Sequence, residues 1–241
     1  MLRTARLIAA KDLRLELNSR VTAFQVLPFA LLLVILFAFA FDADAKVLTP
    51  ASPGLFWIAV LLSLFLAVGR MFTTETADGA LDALRLSSLN PAGIFLGKAL
   101  ALLLELLLLE VVLLAGVLVL YDVSIPASGV VLLVTTAVAT SVGLVATGTL
   151  YGVLSAGTTV RETLLPLLIG PVVAPLLIGA SRAFEAALGT RRVVSVLEEK
   201  CTIVTVVKVS EGWPWAGLLT VFALVYVAAG LLAFGALLED A

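Results

Sequence analysis

The sequence of 241 residues contains no histidine, a single cysteine at Cys201 and few charged residues. Without histidine, the chain cannot use imidazole for acid–base catalysis, for binding zinc or as a pair of haem ligands. A single cysteine excludes an internal disulfide and a thiolate metal cluster. The formal net charge of -2 provides no electrostatic attraction to nucleic acid. We therefore expect no catalytic residue, no metal site and no cofactor-binding residue in this chain.

The scarcity of charge also excludes a soluble globule. Charged residues make up 13% of the chain and hydrophobic residues 62%, whereas soluble domains average about 25% and about 45–50%. A helix needs roughly 20 apolar residues to cross a hydrocarbon core about 30 Å thick. The predicted fold is an all-α membrane protein with one transmembrane domain over residues 1–241. Its six predicted spans are 21–41, 55–69, 94–120, 129–154, 164–180 and 213–238.

The first span could instead be a signal peptide, because Ala43-Asp44-Ala45 has the small residues of a cleavage site. The apolar core of a signal peptide is only about 7–15 residues long. The run here is longer and follows about 20 residues with helical periodicity. We expect the first span to be retained.

Lysine and arginine are concentrated before the first span, and this bias orients the chain. The loop after that span contains one basic residue, Lys46, and basic residues favour the cytoplasmic side. The loop at 181–212 disagrees, because it contains several basic residues, but long loops cross membranes with less regard to charge. We predict a multi-pass protein of the plasma (inner) membrane with both termini in the cytoplasm and 181–212 outside it. The basic residues of the leader are Arg3, Arg6, Lys11, Arg14 and Arg20.

Residues 1–20 have the periodicity of an amphipathic helix lying at the membrane interface. Two interpretations stay open: a topogenic signal that happens to be helical, and an elbow helix that braces a moving bundle. The predicted apolar line consists of Leu2, Arg6, Ala9, Leu13 and Leu17. The opposite side consists of Arg3, Lys11, Arg14 and Asn18.

A second short helix is predicted over 76–90, between the second and third spans. Asp78 is a suitable N-cap, Asp82 lies in the first turn, and Asn90–Pro91 would end the helix. The helix is too short to span the membrane, so it either rests on the cytoplasmic surface or couples the bundle to an ATPase. The candidate ATPase-coupling residues are Asp78, Gly79, Leu81, Asp82, Leu84, Arg85 and Leu89.

Three polar residues, Lys98, Glu105 and Glu110, interrupt the third predicted span. We expect Lys98 to snorkel to the cytoplasmic surface. Glu105 cannot reach water easily, so we expect it to be buried against another helix and able to hold a proton. An interhelical hydrogen bond and a polar path are both compatible with this residue. Glu110 is rotated by about 140° from Glu105, so the two carboxyl groups do not form a catalytic pair.

The fourth and fifth spans contain residues that favour close packing and bending. Gly148 and Gly152 form a small-xxx-small pair. Pro166, Pro171 and Pro175 should kink or break the fifth span and are candidate hinge residues.

The loop at 181–212 contains a stretch from Val193 to Val209 that is rich in β-branched residues. Such a stretch fits a strand about as well as a helix. Cys201 lies within it, and both an inert buried thiol and a pairing with another chain stay open.

Several of these segments, in this order, resemble the CcmB family. They are KDLRLEL at 11–17, PGLFWIA at 53–59, Phe72 with the DGxLxxLxL pattern at 78–86, and the stretch from Gly152 to the three prolines. The resemblance covers roughly residues 6–180. CcmB proteins are the six-span, ABC-2-like permease subunits of the ABC system for cytochrome c maturation.

The resemblance implies a non-enzymatic permease that couples ATP hydrolysis on a separate subunit to haem delivery or to release of the haem chaperone. The implied partners are the ATPase CcmA, the proteins CcmC and CcmD, the haem chaperone CcmE, a second copy of the chain and membrane lipid. The sequence has no phosphate-binding GxxxxGK loop, so ATP would be bound by the partner. With no histidine and only Met1 and Met71 as methionines, a force-transmitting role is favoured over a haem conduit.

The main alternative is an ABC-2-type exporter permease for a lipid or another small hydrophobic substrate, which would share the same architecture. An intramembrane enzyme would need paired acid–base groups, which the pattern does not provide. A secondary transporter driven by protonation of Glu105 would need inverted repeats, and none is evident.

Overall fold

The computed structural model describes residues 1–19, 22–77, 89–156, 161–195 and 202–240. These residues form seven α-helices and one β-hairpin. The helices are α1 (Leu2–Ser19), α2 (Leu27–Ala40), α3 (Ala45–Ala77), α4 (Pro91–Leu120), α5 (Val130–Ala156), α6 (Arg161–Leu188) and α7 (Trp213–Asp240). A π-helical turn (Thr22–Val26) precedes α2, and 3-10 turns (Ala127–Gly129 and Val209–Glu211) precede α5 and α7. The hairpin pairs β1 (Arg191–Ser195) with β2 (Thr202–Val206) in antiparallel register, Val193 opposite Val204.

Within these described ranges, five helices are long and apolar enough to cross a membrane, which confirms a multi-pass helical membrane protein. The five candidate spans are Ala45–Phe72, Pro91–Leu120, Ala127–Leu154, Pro166–Leu188 and Val209–Leu237. The first predicted span, 21–41, corresponds to the shorter apolar helix Phe24–Ala40. The helical regions predicted from apolar length therefore exist, although the first falls below the length of the other five.

Helix α3 begins ten residues before the predicted span at 55–69. Pro50 and Pro53 lie inside the helix, so the Pro53–Gly54 pair is not a turn. The early turns are held against the end of α4, because the Thr49 hydroxyl donates to the Tyr121 carbonyl at 3.1 Å. Tertiary contacts thus outweigh the tendency of these prolines and Gly54 to break a helix.

The Asn90–Pro91 pair begins α4, whereas the helix that it is predicted to end lies mostly outside the described residues. The Asn90 side chain accepts a hydrogen bond from the Gly93 amide at 3.2 Å and so caps α4. Pro91 occupies the first helical position, where its missing N–H leaves no hydrogen bond unmade. Helix α4 consequently starts three residues before the predicted span at 94–120.

Helix α6 extends to Leu188, so the predicted loop 181–212 is helical in its first part. Ala183, Phe184 and Ala187 are buried, and the Phe184 ring stacks on Phe56 of α3 with centroids 4.9 Å apart. This apolar packing stabilises two further helical turns. The hairpin then resolves the ambiguity of the β-branched stretch in favour of strands, while Cys201 lies outside the described residues.

The far end of α4 is fastened to α2 and α3 through Tyr121. The fully buried Tyr121 hydroxyl donates to the Val34 carbonyl at 2.9 Å. Burial raises the pKa of Tyr121 to about 12, so the phenol stays a hydrogen-bond donor throughout the physiological range.

Two glycines of α4 allow α1 to pack directly on it. A Cβ atom added at Gly97 would lie 2.6 Å from the Ile8 Cβ and 2.7 Å from the Ala5 carbonyl oxygen. One added at Gly93 would lie 2.8 Å from the Thr4 Cβ. The two helix backbones are therefore in close contact at positions where no side chain fits.

The face of α1 that packs on α4 is not the predicted apolar line. Ala5, Ile8 and Ala9 are buried, whereas Leu2 is 79% exposed and Leu17 is 75% exposed. Small side chains face α4 because its glycines admit only a close approach. The leucines lie on the neighbouring side of the helix, and the amphipathic contact of α1 with a membrane surface stays a prediction.

We expect Gly97→Ala to destabilise the protein by about 1–3 kcal/mol, the usual effect of overpacking a tight contact. The matched control is Gly116→Ala on the same helix, where an added Cβ would meet only Leu31 at 3.5 Å. Thermal unfolding in detergent measures both variants. Equal melting temperatures for Gly97→Ala and Gly116→Ala would contradict the close α1–α4 contact.

Candidate functional site

The candidate site is the junction around Lys98, where α1, α3 and α4 meet. Lys98 lies seven residues, or about 10 Å, from the start of α4. Its side chain is 1% exposed, so the prediction that it snorkels to the surface is wrong. The physical reason is α1, which covers this side of α4 at Gly93 and Gly97 and blocks the path to water.

An acidic residue of α1 supplies the charge that compensates Lys98. The Lys98 Nζ lies 3.8 Å from Asp12 Oδ2, and the Asp12 side chain is only 9% exposed. The other Asp12 oxygen, Oδ1, lies 3.0 Å from the Nζ of Lys11, which is 40% exposed. Because a buried charge is stable only when paired, the ion pair fastens α1 to α4.

Phe72 of α3 completes the junction. Its ring centroid lies 5.1 Å from the Lys98 Nζ, within the range of a cation–π interaction. The ring is fully buried and packs so closely on Gly152 of α5 that an added Cβ there would overlap it. The small-xxx-small pair of α5, Gly148 and Gly152, therefore packs closely on α3, since Gly148 likewise faces Val68 of that helix. The site therefore includes the end of α3, the start of α4 and the contacts of both with α1 and α5.

The two intramembrane glutamates differ in burial, and Glu105 is less buried than predicted. Glu105 is partly exposed and takes part in interactions within the chain. Glu110 is the buried carboxyl, 4% exposed, and its Oε1 accepts a hydrogen bond from the Ser141 hydroxyl of α5. The difference arises because α5 packs on the Glu110 face of α4. An interhelical hydrogen bond of the kind expected for Glu105 is made by Glu110 with Ser141.

Most of the predicted coupling helix lies outside the described residues. Of its seven candidate residues, Asp78, Gly79, Leu81, Asp82, Leu84 and Arg85 fall in the segment 78–88. Leu89 is described and is 39% exposed, directly before the cap of α4. The predicted start at residue 76 falls within α3, which continues to Ala77. The segment is therefore bounded on both sides by helices of the Lys98 junction.

The three candidate hinge prolines do not break the fifth predicted span. Helix α6 is continuous from Arg161 to Leu188 and contains Pro166, Pro171 and Pro175. All three lie on its exposed side. Each proline lacks the N–H that would make one helix hydrogen bond, so a kink at these positions stays a prediction. Their role as hinges stays a prediction.

Ser141 is a neighbour that no motif singles out, whereas Asp12 and Phe72 lie in segments that resemble the family but have no role assigned from the sequence. No pattern indicates that the partner of Asp12 lies 86 positions away. Within the part of the chain that the structure describes, no group of three or more Cys, Asp or Glu residues could hold a metal ion.

These features define a multi-pass α-helical membrane protein whose amino-terminal helix is fastened by an ion pair to a membrane-spanning helix. A family model described as CcmB protein matches residues 3–211. The chain therefore belongs to the CcmB family.

Relatives named "Heme exporter protein B" are similar to this chain, two of them over about four fifths of their own length. The one from Haemophilus influenzae is 32% identical over 183 residues, 75% of this chain and 80% of the relative. The one from Pseudomonas aeruginosa is 32% identical over 185 residues, 76% and 81% of the two chains. The one from Escherichia coli K12 matches at 31% over only 90 residues, 37% and 41%.

We expect Asp12→Asn to destabilise the protein by roughly 3 kcal/mol, because it leaves the Lys98 charge buried without its carboxylate. The double variant Asp12→Leu with Lys98→Met should be more stable than Asp12→Asn, since it removes both charges. Unfolding in detergent micelles measures each variant.

The matched control is Arg14→Gln, which changes an exposed charge on the same helix and should have little effect. An unchanged stability of Asp12→Asn would show that the ion pair does not hold α1 in place.

Proposed function

We propose that this chain is the membrane subunit of an ABC-type complex in cytochrome c maturation. In this role it transmits the work of ATP hydrolysis on CcmA to haem delivery or to release of the haem-loaded chaperone CcmE. Membership of the CcmB family and the relatives named as heme exporters support the assignment. The observation that carries the force-transmitting role is the Lys98 junction, because it joins both helices that flank the 78–88 segment to α1.

The proposed topology has six spans with both termini in the cytoplasm. The helix Phe24–Ala40 supplies the sixth span, since 17 residues are close to the lower limit for crossing a bilayer. The exposed basic residues Arg3 and Arg14 on α1 favour the cytoplasmic side. Because α1 packs on the first turns of α4, the 78–88 segment lies on that same side.

The 78–88 segment is the proposed contact with the ATPase. A force applied to this segment reaches the end of α3 at Phe72 and the start of α4 at Asn90. Both positions are rigidly connected, through Gly152 and Lys98 respectively, to the rest of the bundle. The segment therefore receives the force from the ATPase, and α1 stabilises the packed helices that this force moves.

Haem is the proposed substrate of the complex, handled with CcmC, CcmD and CcmE, and ATP is bound by the partner subunit. Of the two methionines, Met71 packs against the apolar core and Met1 is at the amino terminus. Neither position forms part of a ligand pair, which favours force transmission over conduction of haem through this chain. A second copy of the chain would match the two ATPase domains of such transporters.

We expect the tagged chain, purified in mild detergent from its own cells, to retain an ATPase together with a haem-handling protein. A variant with 78–88 replaced by a Gly/Ser linker of equal length should lose the ATPase and still reach the membrane. The matched control replaces the hairpin tip, 196–201, with a linker in the same way, and should keep the ATPase.

Retention of the ATPase by the 78–88 variant would contradict the coupling role of that segment. Copurification of an ATPase without any haem-handling protein would favour the alternative, an exporter permease for a lipid or another small hydrophobic substrate. Stoichiometric haem bound by the chain alone would contradict the force-transmitting role.

A further inference from the structure

Glu110 of α4 is buried in a contact with α5 that the proposed function does not use. Its Oε1 accepts a hydrogen bond from the Ser141 hydroxyl. Its Oε2 is buried and has no hydrogen-bond partner among the residues that the structure describes. The Thr136 and Thr140 hydroxyls, in the two turns of α5 leading to Ser141, are likewise buried and unpaired. Buried polar atoms without a hydrogen-bond partner therefore occur on α4 and on α5.

The pair lies close to the middle of both helices. Glu110 precedes the end of α4 at Leu120 by ten residues, or about 15 Å. Ser141 follows the start of α5 at Val130 by eleven residues, or about 16 Å. Because a hydrocarbon core is about 30 Å thick, the carboxyl group is near the centre of the bilayer.

No described helix that packs on α4 brings a counter-charge to this depth. Helices α2 and α5 contain no Asp, Glu, Lys or Arg. The charged residues of α3 lie near or beyond the two ends of its span, and Asp12 of α1 lies at Lys98, toward the other end of α4. The charged residues of α7 are its last two, Glu239 and Asp240.

The tyrosines of these helices do not contribute a charge either. The Tyr121 and Tyr226 hydroxyls donate to the carbonyls of Val34 and Val172. Tyr151 lies in the last two turns of α5, about 15 Å from Ser141 along the helix axis. On α4 itself, Lys98 is about 18 Å away along the axis, and Glu105 is rotated to another side of the helix.

We propose that Glu110 is a proton-binding site: it carries its proton on Oε2 as a neutral carboxylic acid and joins α4 to α5 through Ser141. One serine hydroxyl does not compensate a carboxylate at the centre of a bilayer, where an uncompensated charge costs several kcal/mol. The neutral acid keeps the hydrogen bond to Ser141 and needs no counter-ion.

The site makes the α4–α5 contact dependent on protonation. When the two helices separate and water enters, the carboxyl group is hydrated and releases its proton to that water. When they close again, a proton must return to the carboxylate before the contact reforms. This proton site does not depend on which substrate or ATPase the complex uses.

Infrared difference spectroscopy of the purified chain in lipid nanodiscs tests the proposal. At neutral pH, the spectrum of the wild type minus Glu110→Gln should contain the C=O band of a neutral carboxylic acid, which shifts on exchange into D2O. In Ser141→Ala the same band should move to higher frequency, because the C=O group loses its donor. Glu105→Gln is the matched control on the same helix and should leave the band in place.

The proposal is overturned if the wild type shows no neutral-acid band at neutral pH, or if Glu105→Gln removes it. It is also overturned if the band is present but Ser141→Ala leaves it unshifted. This last comparison does not require Glu110→Gln to fold. None of these outcomes depends on ATPase binding, so failure here is distinguishable from failure of the proposed function.

Discussion

The buried ammonium group of Lys98 is the constraint on which this end of the bundle depends. A lysine inside an apolar helix bundle requires a nearby anion, and α1 provides one through Asp12. The glycines at 93 and 97 allow α1 to come close enough for the pair to form. Phe72 then covers the remaining side of the charge and brings in α3. The ion pair depends on the close backbone packing, and together they place α1, α4 and α3 side by side.

The bundle has a second polar contact about 18 Å further along α4, and the two contacts differ in kind. The Lys98 contact is ionic, lies near a membrane surface and joins helices that flank one segment, 78–88. The Glu110 contact is a hydrogen bond at mid-depth between α4 and α5, surrounded by apolar side chains. The Lys98 contact joins two opposite charges, whereas the proposed neutral-acid contact can open when hydrated. Helix α4 is therefore held to α1 by an ion pair and to α5 by a contact that can open.

Apolar length made the spans predictable, because the bilayer sets a minimum length that the sequence shows directly. The ends were less predictable: α3 begins before Pro50, and α6 continues past residue 180, since distant contacts at Tyr121 and Phe56 stabilise the extra turns.

The candidate site was only partly predictable for the same reason. Lys98 and Glu110 were evident as polar residues in an apolar run, but Asp12 and Ser141 were not, because their importance comes from helix packing that periodicity does not encode. The face of α1 that packs on α4 was not predicted, because the glycines on α4 that favour alanine over leucine lie far away in the sequence.

The central claim is that α1 and α4 move as one body when the ATPase acts. The most direct measurement is the spin-label distance between Leu7 of α1 and Leu108 of α4, both exposed, in the complete complex with Cys201 replaced by serine. Distances recorded without nucleotide and with ATP trapped on the partner should be the same for this pair. A pair between Leu108 and Val134 of α5, also exposed, should change. A nucleotide-dependent change in the Leu7–Leu108 distance would contradict the account.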